Sequence, residues 1–102
     1  MQEVIMEIII NGGDAKNYSM EAIEAAQNND ISRARELIKK SDKALEKAHN
    51  IQTSLIQNEA KGEKVNIGLL MVHAQDHLMN AVTVRDLAEQ FINMYEKFNK
   101  ED

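Results

Sequence analysis

The chain of 102 residues contains no cysteine and no proline. Without cysteine no disulfide can staple the fold, so a chain of this size has to hold together through packing alone. The same absence fits a reducing compartment. Without proline, no helix interior loses an amide donor. Glycine occurs four times and aromatic residues make up 4% of the chain, so flexible turns and strand-forming side chains are both scarce. The start, Met1-Gln2-Glu3-Val4, has no basic leader, and the apolar run Ile8-Ile9-Ile10 is far too short to span a bilayer. A cytoplasmic, unanchored protein is expected.

What is present is helix-forming material: Ala, Glu, Lys, Leu, Ile, Gln and Asn dominate. No shift of composition divides the chain, so residues 1–102 are expected to form a single domain. The net charge of −5 argues against a general electrostatic binder of nucleic acid. Charge is distributed unevenly. Residues 1–30 set Lys16 against six acids, residues 31–62 set seven bases against four, and residues 63–102 set four against seven. A basic middle segment between two acidic ones fits complementarity between packed helices, with a docking patch as the other reading.

Breaks fall in two places. Asn28-Asn29-Asp30 has the chemistry of a turn followed by a cap, with Asp30 suited to accept the first free amides of the next helix. Lys61-Gly62-Glu63-Lys64 supplies the second, with Gly62 placed to end a helix in the left-handed conformation. The first helix is expected from about Glu3 to Gln27, with Val4, Ile5, Ile8, Ile9, Gly12, Ala15, Ser19, Ala22 and Ala26 at helical spacing. Gly12-Gly13 in its interior costs about 1 kcal/mol per glycine relative to alanine. The pair marks either a break or a close approach of another backbone, and a continuous helix is the expectation. In the second helix, Ile31, Ala34, Leu37, Ile38, Ser41, Ala44, Leu45, Ala48, Ile51, Gln52 and Leu55 form one stripe.

The third segment is apolar on more than one side. Leu70, His73, His77, Asn80, Val84, Leu87, Phe91, Met94 and Phe98 keep a strict 3-4 alternation, the a/d rhythm of a coiled-coil seam. A second stripe, Ile67, Met71, Ala74, Leu78, Ala81 and Val82, lies on another face. A helix with two apolar faces needs two partner surfaces, and symmetric self-association through this helix is the economical way to supply the second.

The apolar pattern is interrupted along one line by His73, Gln75, Asp76, His77 and Asn80. His73, Asp76 and His77 stand at i, i+3 and i+4 and share a face. Four readings are open. The line can be a buried polar network that fixes the register of a seam, as in a non-catalytic oligomeric scaffold. It can hold a metal through His73, His77 and Asp76, although no H-E-x-x-H pattern is present and His49 is the only other histidine. His73 can act as a nucleophile, since neutral imidazole is abundant near pH 7 and forms a labile P–N bond. With no glycine-rich nucleotide cradle and no Walker-type lysine, the phosphoryl group would then arrive on another protein. Last, His73 can be a general base with His77 as its acid, for which no substrate pocket is legible.

The run Gly68-Leu69-Leu70-Met71-Val72-His73-Ala74-Gln75-Asp76-His77-Leu78-Met79-Asn80 resembles the enzyme IIA component of the lactose/cellobiose (N,N′-diacetylchitobiose) class of the bacterial phosphotransferase system. Glu46-Lys47-Ala48-His49, the Gln52-Thr53-x-Leu55-Ile56 run, Ile9-Ile10-Asn11-Gly12-Gly13-Asp14-Ala15 and the Asn29-Asp30 turn extend the resemblance over essentially the whole chain. The resemblance implies an all-α, antiparallel three-helix bundle that assembles as a homotrimer of nine helices. It implies that His73 accepts a phosphoryl group from phospho-HPr and passes it to a cysteine of the matching enzyme IIB, for uptake of a disaccharide through the membrane component IIC. It further implies that Asp76 meets its symmetry mates on the threefold axis around one divalent ion per trimer, usually Mg²⁺. Gln75 and His77 become supporting residues, and Gln75 and Asn80 candidate donors to phosphoryl oxygens. The signature does not distinguish among lactose, cellobiose and chitobiose systems.

Overall fold

The structure is a computed structural model and describes residues 2–64 and 67–101. Three helices account for nearly all of it: α1 (Gln2–Gln27), α2 (Ile31–Ala60) and α3 (Leu69–Glu101). At about 1.5 Å per residue α3 alone is roughly 50 Å long, and the molecule is a slender rod of 58 × 20 × 17 Å. None of the described helices is long and apolar enough to cross a membrane.

Both expected breaks end a helix through backbone geometry. Asn29 takes φ 64°; its amide reaches Ala26 O at 3.0 Å and the amide of Asp30 reaches Ala25 O at 2.9 Å. That pair of bonds satisfies two of the carbonyls that a helix end leaves free, and the left-handed residue between them reverses the chain. Asp30 then caps α2, its Oδ1 accepting the amide of Arg33 at 3.1 Å. Gly62, at φ 91°, repeats the arrangement at the end of α2, with Gly62 N to Glu59 O at 3.0 Å and Glu63 N to Asn58 O at 3.1 Å. The third helix starts later than the apolar pattern suggests. Ile67 precedes α3 and is exposed, so it does not extend the inner stripe.

The side-chain contacts set the directions of the helices. Ser19 and Ser41 meet across the Asn28–Asp30 turn, so α1 and α2 are antiparallel; Gln27 meets Tyr95, so α1 and α3 are parallel. The central element is α1, which packs extensively on both neighbours, while α2 and α3 touch each other much less. Its inner face is mostly small: Ile5, Ile8, Gly12, Ala15, Ser19, Ala22 and Ala26 are buried. Opposite lie Ala74, Ala81 and Ala88 of α3, all fully buried. With side chains this short the helix axes come close together. At Gly12 an added Cβ would stand 3.6 Å from the backbone carbonyl of His77 and from Leu78 Cα. Gly12 thus lies on the face of α1 that packs on α3, with room for a methyl group at ordinary contact distance, while Gly13 faces open space; the helix is unbroken across both.

Polar groups inside this seam are paired. The Ser19 and Ser41 hydroxyls are 2.8 Å apart, and Ser41 also donates to Ala15 O at 2.9 Å. Arg85 ties α3 to α2, donating from Nε to Asp42 Oδ1 at 2.6 Å and from Nη2 to Asp42 Oδ2 at 3.1 Å. Asp42, helped by Glu89, raises the Arg85 pKa above its ordinary value despite partial burial.

Two substitutions test this account. Ser41→Ala leaves the Ser19 hydroxyl and the Ala15 carbonyl short of a partner, and thermal or urea unfolding should show a loss of about 1–2 kcal/mol. Gly13 has no neighbour within 4 Å of an added Cβ. Gly13→Ala should therefore stabilise the chain by about 0.5–1 kcal/mol through helix propensity, a gain that a bent or open backbone at this point would not give.

Candidate functional site

A second face of α3, turned about a third of the way round the helix from its core, carries the a/d residues. Leu87 (54% exposed), Phe91 (41%) and Phe98 (58%) lie on it with Met94 and Leu70. Inside the bundle α3 contributes Met71, Ala74, Leu78, Ala81, Ala88 and Ile92. The two apolar faces expected from the sequence are therefore both real, and one chain covers only one of them. The outward face is interrupted near its N-terminal end by His73, Asp76, His77 and Asn80, of which only His77 is half-buried.

His73 and His77 are in direct contact. Their Nε2 atoms lie 3.0 Å apart, with ring centroids 4.4 Å apart and planes at 84°. One nitrogen donates and the other accepts, so each ring influences which nitrogen of the other carries the proton. Beneath the pair, the backbone of His77 and Leu78 faces Gly12 of α1. The histidines therefore stand on a supported part of the helix with their rings outward.

Asp76 is exposed and lies on the ridge between two hollows. One, of about 540 Å³, is lined by Leu69, Leu70, Val72, His73 and Asp76. The other is an open groove of about 420 Å³ between α2 and α3, lined among others by Gln52, Leu55, Met71, Gln75, Asp76 and Met79. It opens because α2 and α3 meet so little. Among the described residues, no three metal-ligating side chains come together. A single chain supplies one carboxylate here, and any ion bound by Asp76 would need the same residue from other copies.

Gln75 is placed differently from His73, Asp76 and His77. At i+2 from His73 it points to the other side of α3, where its side chain meets Gln52 of α2 and its Nε2 donates to Met71 Sδ at 3.8 Å. It does not touch His73 within the chain. Asn80 shares the outward face with His73 and His77. His49 lies in a separate groove with Asp42, Glu46 and Val82 and is not brought to the pair. The one signal of the Gln52–Gln75 contact in the sequence is Gln52, which with Ser41 is polar within a stripe that is apolar elsewhere.

Over residues 3–96 the sequence matches the family described as "PTS system, Lactose/Cellobiose specific IIA subunit". It is 50% identical over 101 residues to the lichenan-specific phosphotransferase enzyme IIA component of Bacillus subtilis, covering 99% of this chain and 92% of that protein. The fold matches the crystal structure of the PTS cellobiose-specific enzyme IIA from Bacillus anthracis with a TM-score of 0.95 and 43% identity, over 98% of this chain and 92% of that one. It also matches IIA(chitobiose), solved in solution in complex with HPr from the N,N′-diacetylchitobiose branch of the Escherichia coli phosphotransferase system. There the TM-score is 0.84 with 37% identity, over 96% of this chain and 95% of that one.

The His73–His77 contact makes a spectroscopic prediction. In the free protein, His77→Ala should change the balance of protonated nitrogens on His73, read from its ring ¹⁵N shifts. Gln75→Ala should leave those shifts in place, because the amide is engaged on the opposite side of α3.

Proposed function

Because the chain belongs to the family of PTS lactose/cellobiose-specific IIA subunits, we propose that it is a phosphocarrier in which His73 takes a phosphoryl group from phospho-HPr and passes it to a cysteine of the matching enzyme IIB. The observation that carries this reading is the exposed His73 imidazole, set with His77 into the polar gap of an otherwise apolar helix face. A relative of the same fold forms a complex with HPr, which supports HPr as the donor.

The chemistry asks little of the protein beyond position. With its proton on Nδ1, His73 carries a lone pair on Nε2, which accepts from His77 in the resting chain and turns to phosphorus when His77 releases it. A P–N bond to the donor breaks as the P–N bond to His73 forms; the phosphorylated His73 ring gives up its Nδ1 proton and the departing donor imidazole takes one up, so both rings end neutral. In the second half-reaction a thiolate of IIB attacks the same phosphorus from the open side and His73 is the leaving group. No nucleotide, oxidant or reductant enters either step. His77 Nε2, 3.0 Å away, is the group within the chain that can donate to a phosphoryl oxygen or fix the His73 tautomer; Asn80 is a second donor on the same face. Gln75 can serve only from a neighbouring copy, at a cleft between subunits. His73 lines the outer hollow of α3, Asp76 borders both that hollow and the groove that α2 and α3 leave open, and Val72 and Met79 give partners an apolar rim for brief docking.

The uncovered a/d face supports self-association. Leu87, Phe91, Met94 and Phe98, large apolar residues of α3's C-terminal half, stand outside the bundle, while Ile92 faces into it. A homotrimer that packs three such faces together is the arrangement we infer, with the three Asp76 carboxylates brought near its axis. Like charges gathered in that way share a cation or take up protons. A divalent ion, Mg²⁺ by its preference for oxygen, would be held by Asp76 from each subunit and would supply charge neutralisation there. The transported sugar would be a disaccharide or related glycan handled by a cognate IIC at the membrane, with this chain on its cytoplasmic side.

Incubation with phosphoenolpyruvate, enzyme I and HPr should add the mass of one phosphoryl group per chain, and His73→Ala should abolish it; labelling that persists in His73→Ala would end this reading. Phe91→Asp should convert the assembly to monomers in sedimentation experiments while each chain keeps its helicity. Asp76→Leu should keep or raise assembly stability without added metal, because it removes a cluster of like charges.

A further inference from the structure

The histidine pair has a property that phosphoryl transfer does not use. The two Nε2 atoms stand 3.0 Å apart on consecutive turns of α3, and neither ring has another hydrogen-bond partner among the described residues. Zn²⁺ and similar ions hold imidazole nitrogen at about 2.0–2.1 Å. Two such ligands on one ion then stand about 2.9–3.4 Å apart, for ligand angles between square and tetrahedral. The observed separation lies inside that window. The i, i+4 spacing fixes the two rings on one face, and both already occupy rotamers that bring the nitrogens together, so little ordering is left for an ion to impose.

The donor set also selects the ion. Two neutral nitrogens suit borderline transition metals and not Mg²⁺ or Ca²⁺, which require oxygen. No third side chain completes the set among the described residues, so water would fill the remaining positions and the ion would stay exchangeable. Binding needs both rings with their proton on Nδ1, leaving both Nε2 lone pairs free.

We propose that His73 and His77 form a two-nitrogen site for a borderline divalent transition metal, and that an ion there blocks phosphorylation of His73 by occupying its Nε2 lone pair. The site is separate from any ion held by Asp76 carboxylates: it uses nitrogen in place of oxygen and is complete within one chain. The blocking clause rests on the phosphocarrier reading; the binding clause does not.

The probe is Zn²⁺, titrated calorimetrically into the unphosphorylated full chain with excess Mg²⁺ to fill carboxylate sites. One Zn²⁺ per chain is expected, with affinity falling at least about tenfold in His73→Asn and in His77→Asn. His49→Asn and Asp76→Asn should bind as the unaltered chain does. Circular dichroism checks that each variant keeps its helices, and His77→Gln repeats the test with a different side chain. No binding heat, unchanged affinity in both His77 variants, or one Zn²⁺ per three chains that is lost in Asp76→Asn would overturn the site. In a second measurement, Zn²⁺ at saturation should slow phosphoryl uptake from phospho-HPr at least about tenfold, and the phosphorylated chain should no longer bind Zn²⁺. The donor protein is pre-incubated with the same Zn²⁺ as a control. Uptake that continues undiminished would overturn the blocking clause. A chain that takes up no phosphoryl group even without Zn²⁺ would overturn the carrier reading and leave the calorimetric result standing.

Discussion

The close seam between α1 and α3 is the constraint on which the rest of the molecule depends. Gly12, Ala15, Ser19, Ala22 and Ala26 face Ala74, Ala81 and Ala88 across it. Small residues let two helices pack along most of their length, and dispersion then acts over many short contacts. The seam also runs beneath the histidine pair, where Gly12 of α1 faces the backbone of His77 and Leu78. The histidine pair thus stands on a part of α3 that packs on the central helix.

A seam built mostly from small residues leaves some of the large ones elsewhere. Phe91 and Phe98, the only phenylalanines in the chain, both lie on the outer face of α3 together with Leu87 and Met94. A helix with apolar surfaces on both sides is stable in water when something covers the second. The polar gap formed by His73, Asp76 and Asn80 falls within this same face. On the proposed reading, chemistry and association would share one surface, which would tie the environment of His73 to the assembly of the chain. The groove between α2 and α3 follows from the same economy, since α1 holds both neighbours and they need little contact with each other.

The local elements were legible in the sequence because each depends on local chemistry. Asn29 and Gly62 end helices because the left-handed conformation is open to them, and Asp30 caps because its carboxylate reaches back to a free amide. The stripe of α2 and the two apolar faces of α3 were visible as periodicity. Ile67 fits the inner stripe by spacing and yet lies outside α3, since periodicity describes where a side chain would point once a helix exists and does not say where it starts.

The sequence by itself determined three helices, their turns, the two faces of α3, and the placing of His73, Asp76 and His77 on one of them. Helical spacing is a local rule, and a local rule can be read along the chain. Only the tertiary structure decided which face of α3 turns inward, because that depends on what α1 and α2 offer it. It brought Gln75 to Gln52 and away from His73, a pairing of residues far apart in the chain. It also decided that α1 runs unbroken through Gly12 and Gly13, since a glycine permits a bend and an approach equally until a neighbour is present. And it set the 3.0 Å separation of the two imidazole nitrogens, which spacing allows but side-chain rotamers alone decide.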